Sequence, residues 1–281
     1  GSPEERQRNA EVEQFGAMQD LAWNLGANQQ LSTSIWWNQT DRQIQPVMGS
    51  NGSDVQNDNN FRAVVDYNKF TAATIWNIKA GVVLDELKFN QSVNQTSQFL
   101  LSSDIDWTIS EKLKSKTGVR FNHVIGNLSS YEATEDRLEL YQSINYLPAS
   151  NLAFSVNLRQ MIFNGDLAPF TPSIGSEWTF FKNEKNKFSA HISISKSFKI
   201  PTLNDRFWVP GGNPDLESEE SISAEIGLTQ VFENNDFMIS NQINLYSMWV
   251  DNWIIWLPRG SFWSPENIRE VRNQGLEYFV T

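Results

Sequence analysis

Cysteine is absent from the 281 residues, which excludes a disulfide framework, a thiolate metal site and a cysteine nucleophile. Histidine is nearly absent, with only His123 and His191, well separated in the chain. Basic charge is also scarce. The 22 Lys and Arg face 33 Asp and Glu, a net charge of −11, and a phosphate-tracking groove needs clustered cations. Nucleic acid is therefore not an expected partner. No apolar run approaches the roughly 18 residues of a membrane-spanning helix. The opening "GSPEERQRN" is too polar for a secretory signal, so any signal is expected to have been removed or to lie upstream. Gly-rich phosphate loops, serine elbows and metalloprotease motifs are missing too. The chain does not read as an enzyme, and no cofactor is expected.

What the sequence has in quantity is alternation with a period of two. In "NLAFSVNLRQMIF", Leu152, Phe154, Val156, Leu158 and Ile162 share one face, while Asn151, Ser155, Asn157 and Arg159 take the other. In "QFLLSSDIDWTIS", Phe99, Leu101, Ile105, Trp107 and Ile109 oppose Gln98, Ser102, Asp104, Asp106 and Thr108. The same pattern sets Phe188, Ala190, Ile192 and Ile194 against Ser189, His191, Ser193 and Ser195, and later Ile222, Ala224, Ile226 and Leu228 against Ser223, Glu225 and Thr229. No segment reads as a helix. The fold class is all-β.

Several of these strands run well past the roughly 5 to 6 residues usual in soluble sheets, and the connections alternate in length. Short links are expected near 27–30, 68–71, 110–115, 147–151, 183–187 and 233–236. Longer ones are expected near 42–59, 88–97, 128–134, 164–172, 199–218 and 251–272. Tight turns at one end and long loops at the other describe an antiparallel transmembrane β-barrel with periplasmic turns and extracellular loops, which places the chain in a bacterial outer membrane with lipid as a partner. The apolar faces carry no charge, as lipid contact requires. Of the eleven tryptophans, Trp23, Trp76, Trp107, Trp178 and Trp249 fall within strands, where indole suits the membrane interface. The alternative is a soluble β-rich binding module with one wet face.

The stretch from Ser193 to Leu228, "SISKSFKIPTLNDRFWVPGGNPDLESEESISAEIGL", resembles the signature of TonB-dependent outer-membrane receptors. In that family a strand ending in a Phe-Arg-x-Pro-like element enters a loop, and a Gly-Asn-Pro-x-Leu-x-x-Glu element leads to a strand with Glu-x-Gly. The matching residues are Phe198, Lys199 and Pro201, then Gly212, Asn213, Pro214, Leu216 and Glu219, then Glu225 and Gly227. Lys199 stands where Arg is commoner. "NIREVRNQGLEYFV", with Gly275 and Glu277, is similar to a later family strand, and "TPSIGSEW" to the segment before the signature. Physically, Pro214 disfavours helix at Asn213, and Gly211 with Gly212 permits a sharp turn. Glu217, Glu219 and Glu220 at the strand start can face water or accept loop amide hydrogen bonds. The motif is read as structural.

The last long connection, "VDNWIIWLPRGSFWSPENIRE", gathers Trp253, Trp256, Phe262 and Trp263, and the signature loop adds Phe207 and Trp208. These aromatics are candidates for stacking on a large, partly flat ligand, with Arg259 for its anionic groups. Loop packing or interface anchoring is the other reading of the same residues. "NGSDVQNDNN" offers oxygen ligands at Asn51, Asp54, Asn57 and Asp58, a candidate loop for bound calcium without EF-hand spacing. His191 falls on a polar face, and no other metal site is read.

The resemblance implies a nutrient receptor that binds a scarce small molecule outside, cobalamin or a ferric siderophore, with overall resemblance leaning to cobalamin. It implies import with energy from TonB through a plug segment, and it admits a surface lipoprotein as a further partner. About 13 strands are counted, against roughly 22 in the family barrel. The whole of 1–281 is therefore read as a barrel fragment, with the plug domain and the remaining strands expected outside it. A passive porin or structural barrel is the alternative from another class.

Overall fold

The computed structural model describes residues 9–46 and 52–281. These form a 14-stranded sheet. The strands are β1 (Val12–Gly26), β2 (Gln29–Gln43), β3 (Val55–Phe70), β4 (Thr74–Phe89), β5 (Ser92–Ser110), β6 (Leu113–Leu128) and β7 (Tyr131–Ala149). They continue with β8 (Leu152–Phe163), β9 (Asp166–Leu167), β10 (Thr171–Lys182), β11 (Asn186–Lys199), β12 (Glu219–Asn234), β13 (Phe237–Arg259) and β14 (Phe262–Val280). Each lies beside its neighbour in sequence, except that β10 pairs β8 and the two-residue β9 hangs off β8. Contacts divide the chain into two compact units. One holds the described residues up to Thr71 with Trp76–Ser103 and Arg120–Arg137, and the other holds Ala72–Ile75, Asp104–Val119 and Leu138–Thr281.

In the second unit the register aligns whole rows of like chemistry. Phe154, Ser176, Ile192, Ile226, Leu245 and Leu276 oppose one another across six strands. The next row, on the opposite face, is Ala153, Glu177, His191, Gly227, Asn244 and Glu277. The apolar row is the exposed one: Ile226 is 49% and Leu276 65% exposed. Among the described residues the buried side chains include Asp104, Glu135, Ser189, Asp205 and Asn244. This polarity is the reverse of a soluble sandwich, in which the apolar faces would be covered. It is that of a sheet whose apolar face meets lipid.

On the outward face of β12, Ile222, Ala224, Ile226, Leu228 and Phe232 are interrupted only by Gln230. The interval matches the roughly 9 to 11 residues of a tilted membrane-crossing strand. At its Ile222 end, in the same row, charge begins, with Lys196 paired to Glu220 at 2.6 Å and Arg272 lying 5.2 Å over the Trp249 ring. Towards the tight turns of this unit, Trp107, Tyr146, Trp178 and Phe237 stand exposed, as an aromatic girdle would.

Gly227 shows why Glu-x-Gly is built as it is. A Cβ there would lie 2.1 Å from His191 Cε1 and 2.5 Å from Asn244 Oδ1. The glycine lets the imidazole lie across the strand, where its Nε2 meets Glu225 Oε1 at 2.9 Å. Gly275 gives the Tyr246 ring the same room.

All six short links are tight turns. Three of the expected long loops are not loops. Only Asn90 and Gln91 separate β4 from β5, Ser129 and Ser130 separate β6 from β7, and Gly260 and Ser261 separate β13 from β14. These segments are polar or proline-bearing, which reads as loop, but a strand beyond lipid can carry polar groups on both faces. Proline is tolerated in β13 because beyond Asp251, the last rung to β12, no strand pairs with its other edge among the described residues, and a missing amide hydrogen on that edge costs nothing. The connection from β11 to β12 also departs from expectation by containing a short helix, α1 (Leu203–Phe207).

Candidate ligand-binding surface

The helix α1 begins at a capping box. Thr202 Oγ1 accepts from the Asp205 amide at 3.1 Å, while the Asp205 carboxylate accepts from the Thr202 amide at 2.9 Å and its hydroxyl at 2.7 Å. The free Asp205 oxygen accepts from Trp256 Nε1 at 2.9 Å, which ties the loop to β13. Burial pushes the Asp205 carboxyl up, but the Thr202 and Trp256 hydrogen bonds and the nearby Lys199 ammonium outweigh it and hold the group below its ordinary value. The latch is therefore ionised at neutral pH. "Thr-Leu-Asn-Asp" before Arg206 is the local signal that sequence reading passed over.

The rest of the loop follows the same logic. The Asn213 amide donates to Asp205 O at 2.8 Å and its Nδ2 to Pro265 O at 3.3 Å, while its Oδ1 receives the Asp215 amide at 3.1 Å. Gly211, at φ 115°, passes so close to Trp263 that a Cβ would strike its carbonyl. Gly212 donates to Trp208 O at 2.6 Å, and Val209–Pro210 is cis. Glu219 Oε1 accepts from the Ile254 amide at 2.8 Å, completing the ladder where β12 stops, and Oε2 meets Lys199 at 3.4 Å. Lys199 makes this single-point pair in place of the fork an Arg would offer. Phe198 receives the Arg159 guanidinium at 5.5 Å, Pro201 is buried and Leu216 half-buried.

Two asparagines outside the sequence-derived site complete the attachment. Asn267 Oδ1 accepts from the Glu217 amide at 2.9 Å and its Nδ2 donates to Glu217 O at 3.1 Å. Asn252 Nδ2 donates to Glu217 Oε2 at 2.9 Å. Isolated asparagines carry no sequence signal of such pairing.

The seven aromatic and basic candidates are thus divided. Trp253, Ile255, Leu257 and Arg259 lie on one face of the β13–β14 ribbon, Ile254, Trp256 and Pro258 on the other. Ile254 and Pro265 are buried, and Trp256 holds Asp205. Arg259 is paired with Glu266. Phe207 is half-buried with the Arg206 guanidinium 5.0 Å over its ring. Trp208, Trp253, Phe262 and Trp263 remain exposed. The ribbon residues are strand residues, not a loop as expected.

The candidate calcium loop is altered too. Asn51 lies outside the described residues. Asn57 and Asp58 belong to β3. Asp54 Oδ1 accepts from Asn90 at 2.9 Å, Asp58 pairs with Arg42 at 3.1 Å, and Asn57 donates to Asp41. No cluster of three or more His, Cys, Asp or Glu able to hold a metal occurs among the described residues.

Residues 3–279 match the family model described as TonB dependent receptor-like, beta-barrel. The chain belongs to this family. Its relatives include the vitamin B12 transporter BtuB of Photobacterium profundum, 32% identical over 100 residues that cover 34% of this chain and 16% of that protein. Among solved structures, the siderophore receptor PirA of Pseudomonas aeruginosa superposes with a TM-score of 0.81 at 14% identity, covering 95% of this chain and 53% of that one. The hemophore receptor HasR of Serratia marcescens superposes at 0.74 with 14% identity, over 96% and 52%. The chain thus spans about half the length of these receptors, and the aligned part covers a still smaller share of the vitamin B12 transporter.

Proposed function

We propose that this chain is barrel wall and ligand-binding surface of an outer-membrane active-transport receptor, which captures cobalamin or a ferric siderophore and imports it with energy supplied by TonB. The carrying observation is the exposed set Trp208, Trp253, Phe262 and Trp263 on an ordered loop and ribbon, just beyond the charged residues that end the apolar band. By register Trp253 and Phe262 share one ribbon face and Trp263 takes the other; exposed aromatics on one face call for a cover, and a large, partly flat ligand supplies one. Similarity to a vitamin B12 transporter supports cobalamin; the shared fold of siderophore and hemophore receptors supports the receptor role without choosing among ligands.

The test is binding and uptake of labelled cyanocobalamin and ferric siderophores by cells carrying the full-length receptor, with and without TonB. Stacking contributes about 0.5 to 1.5 kcal/mol per aromatic contact beyond area burial. Trp253→Ala with Phe262→Ala, both on one ribbon face, should therefore weaken binding about tenfold or more at unchanged surface abundance. Uptake indifferent to TonB would instead favour a passive barrel.

A further inference from the structure

Beyond Asp251 β13 leaves β12, and on that side no strand covers the β13–β14 ribbon among the described residues. Asn252, at φ 55°, stands where the ladder drops one rung and resumes in unchanged register. On the side that β12 leaves, the ribbon is fastened by the loop 200–218 and by Glu219 at the start of β12: Glu219 to the Ile254 amide, Glu217 to Asn252 and Asn267, and Asp205 to Trp256. Asp205 is buried and Glu219 largely covered, so neither offers a ligand a surface of its own.

We propose that Glu219 and Asp205 are positioning residues for ligand capture, clasping the ribbon so that its exposed aromatics are held in the binding arrangement before the ligand arrives. This rests on the receptor reading above. Apparent affinity falls in proportion to the fraction of receptor in the competent arrangement, so opening the clasp weakens binding without touching a ligand contact. Glu219→Gln keeps the acceptor for the Ile254 amide and loses only the Lys199 pair. Glu219→Ala loses both.

The experiment uses the full-length receptor with a spin label on Ser261→Cys at the ribbon tip, together with cyanocobalamin and ferric enterobactin titrations at matched surface levels. Glu219→Ala and Asp205→Ala should each add a mobile component at the tip and weaken binding of whichever probe the unaltered receptor takes by roughly tenfold. Glu219→Gln should do neither. Failure of the unaltered receptor to bind any tested nutrient would count against the receptor reading, and tip mobility would still judge the clasp. Unchanged mobility in both alanine variants overturns the proposal. So does increased mobility with unchanged affinity, and so does loss of assembled receptor in Glu219→Ala with normal affinity in what assembles.

Discussion

Gly227 carries one consequence of the inward face that a single substitution can expose. A methyl there meets the His191 ring and the Asn244 side chain, and overpacking of this kind costs about 1 to 3 kcal/mol. Gly227→Ala should lower the urea midpoint of the refolded full-length barrel, and adding His191→Ala should restore most of the loss. Equal, additive damage from the two changes would mean that the ring does not depend on the glycine. The Glu225 and Gly227 pair was legible as a motif from sequence. Its reason was not, because the ring that fills the space comes from a strand 36 residues earlier.

At the scale of elements, alternation located β5, β8, β11 and β12, and the placement of short links found all six tight turns, because a period of two survives wherever one face meets lipid. It misjudged the ends. Outside lipid both faces can be polar, so strands β4 to β7 and the β13–β14 ribbon continue through segments whose composition suggests loop. The five-residue helix α1 escaped because it is a capped turn with no apolar periodicity to detect. The face assignment itself can be tested on adjacent residues. Ile192 belongs to the outward apolar row and Ser193 to the polar face opposite Glu225. Arginine on the lipid face costs roughly 2 to 4 kcal/mol at the midplane, so Ile192→Arg should cripple assembly in a heat-modifiable mobility assay while Ser193→Arg is tolerated. Equal effects would reject the alternating faces.

The second unit has a lipid-facing band and a folded outer surface, and its tryptophans should report that division. Trp178 stands outward near the tight turns, and Trp263 lies on the ribbon beyond the charged boundary. In full-length receptor variants retaining one or the other as the sole tryptophan, brominated lipid should quench Trp178 strongly and Trp263 weakly. Similar quenching of both would make the ribbon a membrane anchor. Family and architecture were legible in the signature, whereas the split of the aromatic set into a structural Trp256 and exposed neighbours was not, since it depends on the bond Trp256 makes to Asp205 of α1 and not on strand face, which Trp263 shares. The loop's grip on that ribbon falls on two main-chain groups, Pro265 O and the Ile254 amide, and on the side chains of Asn252, Trp256 and Asn267. None of these hydrogen bonds uses the side chain of Trp253, Ile255 or Phe262. Substitution at those three positions can therefore remake the exposed ribbon face while inheriting the fastening intact.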